Sequence, residues 1–239
     1  MNSEFLFPYQ LKESLLRFGQ SELRLLSLED IEQTIDQIYE SLSRDNRPEL
    51  LEELCPYFGV VWAAGAGLTQ FLEKETSTKI GVGLGVLEIG CGLALPSLLM
   101  AQKGVPSWAT DQHPDVPVFL RKNIDRNTLR APVTYQAFDW MKTELKPGDP
   151  LIPPTPRTWI LGSDILYERQ HPEQVTQAVK RLIRPNTERV LIADPARPYL
   201  QECTDALSQA LGVKPIIHVE RCETLHPGKD VFVLDFQLC

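Results

Sequence analysis

The sequence predicts a doubly wound α/β fold, with a mostly parallel seven-stranded sheet, helices on both faces, an antiparallel last strand and an N-terminal helical extension. Three observations predict it. From residue 86 onward, short apolar runs alternate with stretches of helical periodicity, the pattern of a parallel sheet wrapped by crossover helices. A glycine turn, Gly90-Cys91-Gly92, follows the first run and leads into a helix, so the backbone there can approach a ligand closely. Polar residues stand at the ends of the later runs (Asp111, Asp139, Asp164 and Asp194), where the carboxyl ends of parallel strands present a site.

The elements follow in order. Residues 1–57 precede the alternation and are expected to form a helical extension packed on the core domain of residues 58–239. Within them Ile31, Ile35, Ile38, Tyr39 and Leu42 recur at helical spacing, with Glu32, Asp36 and Glu40 on the other face. Ser27 and Asp30 match a capping box at its start. A shorter helix over 48–54 is ended by Pro56. Trp62 then precedes a helix carrying Leu68, Phe71 and Leu72. Gly81, Gly83 and Gly85 come before the first strand, at its wrong end for a ligand, and read as a flexible lead-in. Strands are expected at 86–89, 107–110, 133–137, 158–163 and 190–193, with helices at 94–103, 117–127, 173–183 and 200–211 between and after them. The Pro-rich stretch 147–156 reads as a loop. Strands at 215–219 and 231–238 close the chain, the last alternating Phe232, Leu234, Phe236 and Leu238 on one face.

The 239 residues are 43% hydrophobic and 23% charged, which suits a globular protein with a sizeable core. A net charge of -8 argues against broad attraction to nucleic acid or anionic membranes. Cys55, Cys91, Cys203, Cys222 and Cys239 are scattered and form no C-x-x-C pair, and His113, His171, His218 and His226 lack ligand spacing. A disulfide framework and a metal site are therefore not expected, and a cytoplasmic location is. No apolar run reaches the ~20 residues of a membrane span.

Two glycines after a strand suit several nucleotide ligands. A dinucleotide site prefers G-x-G-x-x-G/A, yet Leu95 holds the third position and the strand carries an acid, Glu88. A carboxylate there disfavours a pyrophosphate and suits a cationic group. Asp111, at the end of the second strand, can accept both hydroxyls of a ribose. The ligand inferred is a positively charged nucleoside without phosphate.

Glu88-x-Gly90-x-Gly92 with Asp111 resembles motif I and the acidic position after it in class I S-adenosylmethionine-dependent methyltransferases, whose fold is Rossmann-like. Phe138-Asp139-Trp140, Asp164-Ile165-Leu166-Tyr167 and Trp62 within Val61-Trp62-Ala63-Ala64 resemble a narrower group, the family 16 seven-β-strand protein-lysine methyltransferases, also labelled nicotinamide-N-methyltransferase-like. The likeness spans about residues 56–198. Two positions depart from it: Ala94 stands where many members carry glycine, and Ser163 where a small apolar residue is common.

The resemblance implies that S-adenosyl-L-methionine is the cofactor. The backbone of Gly90, Cys91 and Gly92, with Glu88 nearby, would meet its amino-acid part, and Asp111 its ribose. Asp139 and Trp140 would bracket the adenine, while Trp62 and Ser163 line the same pocket. Asp164 and Tyr167 are the catalytic candidates, the carboxylate orienting or deprotonating an amine and the ring favouring the cationic product; the competing reading is that Asp164 caps the following helix and Tyr167 packs. The expected reaction is N-methylation of a protein lysine. The alternatives are a small aliphatic or heteroaromatic amine as acceptor, and a catalytically silent binding module. A nucleic-acid acceptor is disfavoured by the acidic composition and by the absence of a Pro-Pro-Tyr pattern.

Overall fold

A computed structural model describes residues 4–79, 82–140, 153–222 and 225–238. The chain opens with a hairpin, β1 (Leu11–Phe18) and β2 (Ser21–Leu28), then α1 (Ile31–Arg44), a 3₁₀ turn (Pro48–Leu50), the short α2 (Leu51–Leu54), a second 3₁₀ turn (Tyr57–Gly59) and α3 (Ala63–Lys79). The alternating part follows: β3 (Leu84–Ile89), α4 (Leu95–Gln102), β4 (Ser107–Asp111), α5 (Val116–Asp125), β5 (Val133–Ala137), β6 (Arg157–Ser163), α6 (His171–Leu182), β7 (Thr187–Asp194) and α7 (Leu200–Leu211). The strands β8 (Ile216–Arg221) and β9 (Asp230–Gln237) close it.

Seven strands form one sheet in the order β5-β4-β3-β6-β7-β9-β8. The first five pair in parallel, and β9 inserts antiparallel between β7 and β8, as expected for the last strand. Every residue of β3 is buried, because helices cover both faces and a central parallel strand has no solvent side. One core joins α3, α4 and α5 to the sheet through Leu68, Leu98 and Phe119. The other joins α6 and α7 through Val175, Val179 and Leu207. The strand order reverses between β3 and β6, so their carboxyl ends diverge and open a crevice. α3 lies close to the sheet because its first turns are small: a Cβ on Gly67 would sit 2.7 Å from Val231.

The N-terminal extension is more than helical. Ahead of α1 stands the β1–β2 hairpin, whose alternating Leu16, Phe18, Leu23 and Leu25 are buried and whose two-residue turn relies on Gly19 at φ +54°. Its outer edge is met by side chains of α5 and the residues just after it: Asn123 bonds both the amide (2.7 Å) and carbonyl (3.2 Å) of Leu26, and Asn127 does the same for Arg24 (2.9 and 2.7 Å). Four residues of helix rise by about 6 Å and two residues of strand by about 6.6 Å, so the two amides match the strand repeat. Buried Glu73 of α3 holds the turn through the Gln20 amide and Ser21 hydroxyl. The cap of α1 also differs from expectation: Asp30 alone accepts from the Gln33 amide at 2.9 Å, while Ser27 belongs to β2. Most of the Pro-rich stretch expected as a loop, and Gly81 and Cys239, lie outside the described residues.

Candidate active site

The crevice at the carboxyl ends of β3, β4 and β6 is a cleft walled by the glycine loop, the loops after β4, β5 and β6, the start of α3 and the α2–α3 segment. Gly90 and Gly92 take φ of +60° and +50°. A Cβ on Gly90 would lie 2.8 Å from Ile165 and 3.3 Å from the Trp140 ring, and one on Gly92 would lie 3.0 Å from the Phe58 carbonyl oxygen. Both glycines are therefore required by conformation and by neighbours. Ala94, also left-handed at φ +57°, takes the same backbone with a side chain and carries its strain.

The loop offers little to an anion. In the first turn of α4, Pro96 has no amide hydrogen, and the Ser97 amide is taken by Glu88. The Cys91 amide donates to the Thr110 carbonyl, and the Gly92 amide to Asp111. This disfavours a pyrophosphate without recourse to charge.

Glu88 itself is not in the cleft. Its carboxyl is fully buried beneath the loop, one oxygen accepting from the Ser97 amide (3.0 Å) and hydroxyl (2.5 Å) and the other without a partner among the described residues. Burial pushes its pKa up to about 8, so it is mainly neutral at pH 7. The electrostatic role expected of Glu88 is thus corrected: it braces the loop against α4.

Asp111 faces the cleft at the end of β4, its oxygens accepting from the Gly92 amide at 2.9 Å and the His113 amide at 3.0 Å. Burial raises its carboxyl, and those amides pull it back. His113 accepts the Asp115 amide on Nδ1, which leaves Nε2 to donate to the Leu54 carbonyl and ties the α2 segment over the site. Phe138 and Trp140 line the wall beyond, and Asp139 lies outside the lining.

Asp164 sits at the end of β6 in the left-handed region, φ +57°, a conformation Asp tolerates better than most residues. Oδ2 accepts from the Ala64 (2.8 Å) and Gly65 (3.3 Å) amides in the first turn of α3, and Oδ1 from Arg197 at 2.6 Å. It does cap a helix, though not the following one: it caps α3, a hundred residues earlier. Burial raises its carboxyl, while Arg197 and the α3 amides lower it. Arg197 also bonds Asp194, by Nη1 at 3.2 Å and by its own amide at 2.6 Å. The parallel register Ser163↔Ala193 sets these two acids side by side. Arg197 and Asp194 carry a role the sequence reading left unassigned; the signal is Asp194-Pro-Ala-Arg197 following a strand end.

The remaining candidates gather at the mouth. Ser163 lines the wall, its hydroxyl 3.6 Å from where a Cβ on Gly65 would stand. Trp62, Tyr57 and Tyr167 are 38%, 51% and 48% exposed. The Trp62 indole donates to the Tyr57 carbonyl at 2.7 Å. Tyr167 packs edge-on against His171, and burial of its hydroxyl pushes its pKa up to about 12. Cys91 is a buried packing residue whose thiol burial pushes well up, so it is not a nucleophile.

Comparisons with known proteins bear on this geometry. A family model described as lysine methyltransferase matches residues 53–204. The electron transfer flavoprotein beta subunit lysine methyltransferase of Xenopus laevis is 29% identical over 153 residues, 63% of this chain and 57% of its own length. A histone-arginine methyltransferase of the same organism is 29% identical over 170 residues, 65% of this chain and 68% of its own. The chain thus spans little more than half the length of the first relative. A 16S rRNA methyltransferase from T. thermophilus, solved with AdoMet and guanosine, superposes with a TM-score of 0.58 at 13% identity, covering 96% of this chain and 52% of that one, a likeness of fold.

Proposed function

This chain belongs to the lysine methyltransferase family, and on that premise we propose that it is an S-adenosylmethionine-dependent N-methyltransferase acting on a lysine side chain of a protein. The residues present fit the cofactor. Asp111 suits ribose hydroxyls, Trp140 and Phe138 suit a flat base, and the absence of Cβ atoms at Gly65 and Gly90 keeps the cleft open. When bound, the cofactor supplies a methyl group activated on a sulfonium.

The mouth carries the reading of the acceptor. Three half-exposed aromatics, Trp62, Tyr57 and Tyr167, surround an opening whose inner wall bears the fixed anion Asp164. An alkylammonium chain suits such an opening, its stem on the rings and its charge toward the carboxylate. Both oxygens of Asp164 are occupied by Arg197 and the α3 amides, so it acts as a stationary charge that orients the amine. Tyr167, held protonated, offers a ring face and a hydroxyl donor. Among the described residues no helix is long and apolar enough to cross a membrane.

Incubation of the protein with methyl-labelled cofactor and a cell lysate tests this. Label on a protein band, recovered as methyl-lysine after hydrolysis, is the expected result. Label recovered as methyl-arginine, or only in the small-molecule fraction, reassigns the acceptor. Failure of S-adenosylhomocysteine to raise the melting temperature removes the cofactor assignment itself.

A further inference from the structure

Among the described residues the two sheets have four strand edges, and they are finished differently. The β1 edge exposes one large apolar side chain, Leu15, at 43%. The β2 edge is met by Asn123 and Asn127. The β5 edge carries Thr134 and Gln136 and exposes no large apolar side chain. The β8 edge ends the seven-stranded sheet, paired with β9 alone, and exposes Ile216, Ile217 and Val219 at 51%, 56% and 53%. Unpaired backbone and exposed β-branched side chains on an edge form a template for another strand.

The pattern of β8 is self-complementary. In a two-fold antiparallel pairing, residues opposite one another share a face, so their numbers sum to an even value. Centred on His218, Ile217 meets Val219 of a second copy and Val219 meets its Ile217. Centred on Ile217, Val219 would meet Pro215; centred on Val219, Ile217 would meet Arg221. Only the register about His218 puts both exposed apolar positions of this face on β-branched partners within the strand, since Pro215 precedes β8 and has no amide to pair. The charges permit it, because Glu220 is neutralised by Lys74 at 2.6 Å and Arg221 by Asp230, so two copies of this net-acidic chain meet without a local excess of either sign. A two-fold contact also closes on itself and leaves no edge for a third copy.

We propose that the β8 edge, through Ile217 and Val219, is a homodimer interface in which two sheets join by antiparallel pairing about His218. Six residues of strand bury less than the roughly 1,200 Å² of a stable complex, so the dimer dissociates on dilution. Sedimentation across a concentration series is expected to show a monomer–dimer equilibrium that an Ile217→Lys/Val219→Lys variant abolishes, while its S-adenosylhomocysteine binding stays at the wild-type level. A chain carrying Ile217→Cys mixed with one carrying Val219→Cys is expected to form the cross-chain disulfide more readily than either alone, since directly opposed positions lie about 5 Å apart and diagonal ones about 7–8 Å. A wild-type chain that stays monomeric, a dimer that survives the double lysine variant, or a disulfide formed equally by the unmixed chains overturns the proposal. None of these outcomes bears on methyl transfer.

Discussion

The two aspartates that face the cleft, Asp111 and Asp164, are held in opposite ways. Asp111 is fixed by its own neighbourhood, the amides of Gly92 and His113, 19 and two residues away. Asp164 is fixed by the start of α3, a hundred residues back, and by Arg197, 33 residues on. The Asp111 half of the cleft is thus built from contiguous chain, and the Asp164 half exists only once three distant segments have docked. A motif can specify the first kind of site; the second depends on sheet register, and one substitution can dismantle it.

Removing the shared cation should break the assembled half most severely. Arg197→Ala leaves buried Asp164 and Asp194 without their counter-charge, a loss of about 3 kcal/mol, seen as a fall of about 6–12 °C in melting temperature. The deficit should shrink as pH is lowered, since protonation discharges both acids, and a deficit indifferent to pH would mean that Arg197 acts by packing alone. On the contiguous side, Asp111→Ala should weaken S-adenosylhomocysteine binding by about 10–100-fold in calorimetry, as charge-assisted hydrogen bonds are lost, with a smaller change in melting temperature than Arg197→Ala. If the two variants lose stability equally, the contrast between the halves fails.

Glu88 sharpens the comparison from beneath. The folded acid keeps its proton up to about pH 8, whereas its ordinary value is 4.5, so between those values the native state binds more protons and stability falls as pH rises, by at most about 1.4 kcal/mol per unit. Glu88→Gln should remove that slope in urea titrations from pH 6 to 8 and leave cofactor affinity within about twofold, since the group braces the loop and does not line the cleft. Smallest is Ala94→Gly. Release of the left-handed strain at φ +57°, partly offset by backbone entropy, should stabilise by about 0.5 kcal/mol, or 1–2 °C.

The same division explains what the sequence made legible. The alternation from β3 to β7 was readable because buried parallel strands are continuous apolar runs bounded by glycine and helical periods. Gly90, Gly92 and Asp111 were readable for the same local reason. Arg197 was not, because its partnership with Asp164 follows from the pairing of β6 with β7, which no spacing along the chain expresses. Glu88 is legible as an acid on the strand, but that its carboxyl turns beneath the loop to Ser97 and not into the cleft is not, since placement on a strand end does not fix that direction. The hairpin is hidden in the sequence although Gly19 separates two runs of alternating buried residues: its Leu, Lys, Glu and Arg are good helix formers, and their local preference masks a period of two.

The asparagines that meet β2 also impose a schedule. Ribosomes add about 5–20 residues per second, and Asn123 follows Leu26 by 97 residues, so the nascent hairpin waits roughly 5–20 s for the groups that complete it. During that interval its outer backbone has only water, or a neighbouring nascent chain, to bond with. Slowing translation between residues 28 and 123 should therefore lower the soluble yield of this protein, even though every residue of the finished molecule is unchanged.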